Sequence, residues 1–146
     1  MNGKKIDGFH GAYRFLSNFY EAPVAYNGLA YSNNEAAFQA QKAMDPEVRK
    51  KIAAMGPSEA KRAGRRVALR PDWERVKDQL MLDIVREKFA QNPDLAEKLL
   101  ATGDAELVEG NTWHDRYWGV DAATGEGRNQ LGKTLMQVRD ELRKSA

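Results

Sequence analysis

Between Pro71 and Ala90, the residues Trp73, Val76, Leu80, Ile84, Val85 and Phe89 recur at three- and four-residue intervals, the period of a helix that buries one face. This is the longest regular element the sequence predicts, and a chain that contains it must build its core largely from helices. Further helix signals follow the same logic. Asp45-Pro46 supplies an N-cap with proline at the first helical position and starts a short helix ending near Gly56-Pro57. A second short helix is expected from Ser58 to about Arg66. Asn92-Pro93 opens another with Leu95, Leu99 and Leu100 inward, and the last runs from about Asn129 to Lys144 with Leu131, Leu135, Val138 and Leu142 inward.

Strand signals are confined to two regions. From Ile6 to Tyr31 aromatic residues alternate with turn formers, and Pro23 to Tyr31 reads as a hairpin because Asn27-Gly28 supplies the two positive-φ residues of a tight turn. Ala105 to Glu109 is the best strand in the second half, with Tyr117 to Val120 as a second. The expected class is therefore α+β, predominantly α-helical, in a compact single domain spanning 1–146, with a few short strands near the N-terminus and around 105–120. With 23 basic and 21 acidic residues the formal charge is +2, too small for a surface that coats nucleic acid. The absence of cysteine excludes disulfides and thiolate metal sites, and two histidines do not fill a zinc site unaided. Neither a metal nor a cofactor is expected. With no long apolar run and no signal-like start, a soluble, cytoplasmic protein is expected.

Three polar segments stand out against this helical background. Ser32 to Lys42 reads as a helix start in which Glu35, Gln39 and Lys42 occupy i, i+4 and i+7, one face of the helix. A carboxylate, an amide and an amine on one stripe can bind and attack a polar substrate. Ser32 followed by Glu35 is also a capping box, in which the glutamate reaches back to the N-cap amide, and the segment alone does not choose between cap and site. The second segment, Glu109 to Gly119, places Trp113 and Trp118 in a loop with four ionisable side chains. Indole faces stack on bases and neighbouring carboxylates transfer protons, although the two tryptophans also suit a core edge. The third, Gly125 to Lys133, is a glycine-rich loop entering a helix. It offers either backbone N–H groups to an anion or a plain N-cap at Asn129.

Two lesser segments complete the picture. Arg14-Phe15-Leu16-Ser17-Asn18 suits the grip of a phosphate or ribose, and equally the sealing of a core. The basic run from Lys61 to Arg66 is a solvated helix face or a phosphate patch helped by Arg70 and Lys77.

Taken in order, Arg14-Phe-Leu-Ser-Asn-Phe-Tyr20, Ser32-x-x-Glu35-x-x-x-Gln39-x-x-Lys42, Arg70-x-Asp72-Trp73, Leu107-Val-Glu109 leading to Trp118-Gly119, and Gly127-x-Asn129-x-Leu131-Gly132-x-x-Leu135-Met136-x-x-Arg139 closely resemble the NADAR (YbiA-like) family from about Phe9 to Leu142. The resemblance implies a mostly helical domain with N-glycosidase activity on N-linked ribose derivatives. The substrates it implies are phosphoribosylamino-pyrimidine intermediates of riboflavin synthesis, or ADP-ribose on guanine bases. The expected partner is thus a small-molecule nucleotide or an ADP-ribosylated guanine base, in DNA or RNA or free, with no membrane and the oligomeric state open.

Cleavage of a C1–N bond develops positive charge on the sugar, so a carboxylate near C1 and a proton for the departing nitrogen are needed. On that resemblance Glu35, Lys42, Glu109 and Asp115 are the expected catalytic residues. Lys42 offers attack on C1 and a Schiff base as one route, and a water activated by Glu35 is the other. Arg14, Ser17, Asn18, Gln39, Trp118, Gly119, Gly127 and Asn129 are the expected substrate contacts. A non-catalytic ADP-ribose or nucleotide reader is the alternative, using the same loops without the Glu35/Lys42 stripe.

Overall fold

A computed structural model describes residues 4–145. In chain order the elements are β1 (Lys5–Asp7), a 3-10 helix (Gly11–Leu16), β2 (Glu21–Tyr26), β3 (Leu29–Asn33), α1 (Asn34–Ala40), α2 (Pro46–Ala53), α3 (Pro57–Gly64), α4 (Trp73–Gln91), α5 (Pro93–Ala101), β4 (Glu106–Val108), β5 (Gly110–Asn111), β6 (Val120–Asp121) and α6 (Gln130–Ser145). The class is α+β with helix dominant. Contacts group the chain into two compact units, one running to Ser17 and resuming at Pro93, the other Asn18–Asn92. No helix among the described residues is long and apolar enough to cross a membrane.

In the Asn18–Asn92 unit, β2 and β3 form an antiparallel hairpin in which Tyr26 pairs with Leu29. Asn27 and Gly28 take φ of 53° and 87°, the tight-turn geometry their identity demands. The hairpin leads directly into α1, around which α2, α3 and α4 pack. Asp45 caps α2 as its sequence signals, its Oδ1 accepting the Glu47 N–H at 2.9 Å. Helix α4 buries Trp73, Ile84, Val85 and Phe89 on the expected stripe. Val76 and Leu80 are only half-buried, while Met81 and Lys88 take fully buried places that the apolar pattern did not mark.

The other unit is built on pairings between distant segments. β1 pairs in parallel with β4, Ile6 opposite Leu107. Helix α6 lies against β4, and Gly132 makes the close approach possible because a Cβ there would collide with the Leu107 carbonyl. The buried Arg139 guanidinium donates to Thr102 Oγ1 and the Ala105 carbonyl, both at 2.9 Å, tying α6 to the turn between α5 and β4. The expected strand from Tyr117 to Val120 shrinks to Val120–Asp121, which pairs in parallel with Gly110–Asn111. Asp115 explains the shortening. Its carboxylate takes the N–H groups of both Tyr117 and Trp118, so those residues bend around a side chain instead of extending along a ladder.

Lys88 is 1% exposed, and burial pulls its amine down from 10.5 to about 7. In the unfolded chain the amine keeps its proton until about pH 10.4, whereas in the folded one it loses it near 7. Between those values the unfolded state binds more protons, so stability rises with pH. Urea unfolding from pH 7 to 10 should show a gain approaching about 1.4 kcal/mol per pH unit. Lys88→Met should flatten that slope; an unchanged slope in the variant would assign it to other groups.

Candidate active site

The decisive local feature is the cap of α1. Asn33, not Ser32, occupies the N-cap, and its Oδ1 accepts the Ala36 N–H at 2.7 Å. The expected capping box is therefore corrected. With extended backbone at φ −160°, Asn33 closes β3 and starts the helix in one residue, and its side chain does the capping that Glu35 was expected to share. The Glu35 carboxylate instead turns along the helix, where Oε2 accepts the Gln39 side-chain N–H at 2.7 Å. Both residues are buried, at 8% and 7% exposure.

Gln39 is fixed from its other side by α3. A Cβ on Gly64 would run into Gln39 Oε1, so only glycine leaves room for the amide in this orientation. Gln39 was expected to touch substrate. The structure gives its donor to Glu35, while its Oε1 is buried with no hydrogen-bond partner among the described residues.

Lys42 falls one step beyond the expected stripe. Helix α1 ends at Ala40, and Lys42 lies in the following turn, its N–H donating to the Gln39 carbonyl at 3.1 Å. The amine is half-buried with Nζ 5.7 Å from the centre of the Trp73 ring, which itself packs on Phe38 at 5.1 Å between ring centres. Burial lowers its proton affinity most. The Glu35 carboxylate opposes this, and Arg65, Lys61 and Lys77 lower it further. A lysine so placed is a better nucleophile near neutrality than an exposed one. A groove of about 720 Å³ opens along the residues that follow it, with Ala43, Met44, Val48, Ala68 and Leu69 in its wall and Arg66 at its edge.

Two features of this site escaped sequence reasoning. Asn34, 1% exposed, leaves both amide atoms without a hydrogen-bond partner among the described residues, next to Glu35 in the first turn. Its neighbours in sequence gave it no period or motif of its own. Trp73 is the apolar start of α4 that the period predicts, and its ring also bounds the Lys42 amine. Of the other expected contacts in this unit, Asn18 is buried, its carbonyl accepting the Glu35 N–H at 3.0 Å and its amide reaching Met81 Sδ at 3.5 Å.

The remaining expected residues belong to the other unit. Arg14 is exposed at the end of the 3-10 helix, and its carbonyl accepts the Ser17 N–H at 2.9 Å. Asn111 holds Asp115 by accepting its N–H and donating to its carbonyl, both at 2.9 Å, and Asp115 in turn shapes the bend carrying half-buried Trp118. Gly119 sits so close to Glu109 that a Cβ would meet both its carbonyl and Oε1. Gly127, at φ +154°, passes against the Gly119 carbonyl with no room for a side chain. Asn129 takes a left-handed φ of 54° and its amide bridges the Leu107 carbonyl and the Glu109 N–H, at 2.8 and 2.9 Å. The structure thus brings Glu109, Gly119, Gly127 and Asn129 together around the end of β4. Trp113, by contrast, is 58% exposed.

The NADAR domain model matches residues 8–143. The chain belongs to the NADAR family. It is 42% identical over 133 residues to the N-glycosidase YbiA of Escherichia coli (strain K12), covering 89% of this chain and 82% of that protein. The N-glycosidase Npun_R5314 of Nostoc punctiforme is 41% identical over 137 residues, covering 90% of this chain and 86% of that protein. A riboflavin biosynthesis protein of Vibrio vulnificus, VVA0006, is 42% identical over 135 residues, which are 90% of this chain but 36% of that protein. The NMR structure of E. coli YbiA superposes with a TM-score of 0.89 at 37% identity, covering 99% of this chain and 88% of that one. As a NADAR protein matched along most of the length of N-glycosidases, the chain is a hydrolase acting on N-glycosyl compounds.

Gly64→Ala should push Gln39 off Glu35 and remove a hydrogen bond to a charged group, an interaction of about 1.5–3 kcal/mol. Steady-state assays should show kcat falling by about tenfold or more. Because both changes break the same link, Gly64→Ala should cost little more in a Gln39→Ala background; full additivity would refute the link.

Proposed function

We propose that the chain hydrolyses the C1–N bond of an N-linked ribose derivative, with Glu35 and Lys42 as its catalytic residues. The observation that carries this reading is the pairing of a buried, amide-held carboxylate at the start of α1 with a half-buried lysine of lowered proton affinity in the turn that follows the helix, the carboxylate acting electrostatically on the amine. A capping role for Glu35 is already filled by Asn33, so the carboxylate's burial calls for another reason.

In the route through lysine, the neutral Lys42 amine attacks C1, the C1–N bond breaks, and the departing nitrogen receives the proton that the amine sheds. Opening of the ribose ring gives an imine between C1 and Nζ, and addition of water returns the lysine and releases the ribosyl part with its phosphate or ADP group intact. In the route through water, Glu35 takes a proton from the water as its oxygen bonds to C1, and that proton passes to the leaving nitrogen. The lowered proton affinity of Lys42 supports the first route, since only the uncharged amine is nucleophilic.

Two substrates fit the reaction: a phosphoribosylamino-pyrimidine and an ADP-ribosylated guanine base, free or within a nucleic acid strand. The riboflavin-related name of the Vibrio relative supports the first. We assign Glu109 to charge stabilisation and Trp118 to stacking on their unit. Asp115, expected to transfer protons, is better assigned to holding the turn that presents Trp118, because Tyr117 and Trp118 both donate to Oδ1 at 3.0 Å.

The test is release of free base from each substrate by Glu35→Gln and Lys42→Ala proteins of unchanged circular dichroism. Both should lose at least about 100-fold in kcat, the usual span of an acid–base or nucleophilic contribution. Near-normal turnover in both would remove the proposal. Borohydride should trap a mass adduct on Lys42; an inactive Glu35→Gln protein together with no adduct on the wild type would assign the reaction to the water route.

A further inference from the structure

Two close contacts orient α3 and α4 toward the Glu35/Lys42 pair. On α3, Gly64 lies against Gln39. Lys61 lies one turn before Gly64, on the side of α3 that the Gly64 contact turns toward α1, and Arg65 follows Gly64 directly as the exposed C-cap of the helix, one turn after Lys61. On α4, the Trp73 ring lies 5.7 Å from Lys42 Nζ, and Lys77, four residues on, shares that face. The Lys61 stem is steadied by Phe19, whose ring centre is 5.8 Å from Nζ. Lys77 is 15% exposed and bonded to the exposed Glu74 carboxylate at 2.7 Å.

From this convergence we propose that Lys61, Arg65 and Lys77 form an anion subsite beside Lys42 that takes the phosphate of a phosphorylated ribosyl substrate. The proposal deepens the reading of Glu35 and Lys42 as catalytic residues and rests on it for the identity of the ligand. Gathering several cations around a half-buried amine is unfavourable in the empty protein, and a bound phosphate removes that repulsion. The three cations depress the proton affinity of Lys42, which independently places them within electrostatic range of its amine. Burial, the larger cause of that depression, persists when an anion neutralises the cluster. Arg70, expected to join such a patch, does not. Asp72 holds its guanidinium by two bonds of 2.6 and 3.1 Å, and a third goes to the Gln41 carbonyl. Arg62, exposed and one residue off the Lys61–Arg65 face, is a cation of the same helix outside the subsite.

The test titrates the whole ¹⁵N-labelled protein with inorganic phosphate at low salt, following backbone amides by NMR. Shifts should concentrate at Gly64, Arg65 and Lys42, and Lys61→Gln/Arg65→Gln should weaken binding by about tenfold or more, as loss of charge-assisted contacts implies. Arg62→Gln should bind phosphate like the wild type. Affinity unchanged in the double variant, or lost equally in Arg62→Gln, would overturn the subsite. With a hydrolysable substrate, the double variant should raise KM for the phosphorylated form more than for its dephosphorylated counterpart. An equal rise for both would overturn it as well. Because the phosphate titration needs no turnover, a protein that binds phosphate at this cluster yet cleaves neither substrate would refute the proposed reaction and not the subsite. One that cleaves substrate but shows no cluster binding would refute the subsite alone.

Discussion

Helix α1 is seven residues long and every one of them is buried. A short helix enclosed on all sides has little intrinsic stability and must draw it from packing. Its end groups and polar side chains must find their partners within that packing. The packing of the Asn18–Asn92 unit follows from meeting that demand. β3 runs straight into the helix so that Asn33 can cap it from a strand conformation, α3 approaches through a glycine so that Gln39 can lie flat against it, and α4 brings Trp73 over Phe38 and Lys42. A larger residue at position 64, or a helix one turn longer, would change what the carboxylate faces.

The same enclosure creates the chemistry. A carboxylate at the protein surface has water for every lone pair, and a surface lysine keeps its proton at neutral pH. Inside this unit the carboxylate meets a directed amide donor, and the amine is partly desolvated and within electrostatic range of other cations. The two groups proposed to react are thereby set by packing, one held by a hydrogen bond and the other lowered in proton affinity, without recourse to an unusual residue type. Arg139 and Lys88 show that burial of charge in this chain is not limited to the site. Arg139 joins backbone and hydroxyl acceptors that close the end of α5, whereas burial alone brings Lys88 down to about 7.

How far the sequence exposed this depends on the range of each interaction. The hairpin turn at Asn27-Gly28, the Asp45 cap and the α4 stripe are local, and local patterns showed them. The parallel pairing of β1 with β4 joins residues about a hundred positions apart, and no period or turn residue announces it. The shared face of Glu35 and Gln39 is legible in the spacing, but the cap is ambiguous by one residue because Ser32 and Asn33 are both good caps. Lys42 continues the 3.6-residue spacing although the helix ends at Ala40, because spacing alone does not mark where α1 stops. The need for glycine at position 64 arises from a contact with Gln39, 25 residues away in sequence, which no local pattern in the basic run encodes.

A buried carbonyl without a partner costs on the order of 1–3 kcal/mol, and among the described residues Gln39 carries one while Asn34, on the same helix, leaves a whole amide unpaired. Stability alone favours apolar residues at both positions, as at the neighbouring Ala36, Ala37 and Ala40. Gln39 has a visible compensation, since its other end holds Glu35. Asn34 has none among the described residues, and on the proposed reading its place in the first turn next to Glu35 suits a polar group of the substrate or a trapped water as its partner. The two amides therefore differ in kind. Removing Gln39 disturbs the carboxylate whether or not substrate is present, while removing Asn34 relieves an unmet polar group in the free enzyme. Loss of the Asn34 amide should accordingly leave the free protein as stable as before or more so, and any loss it causes should appear once substrate is bound.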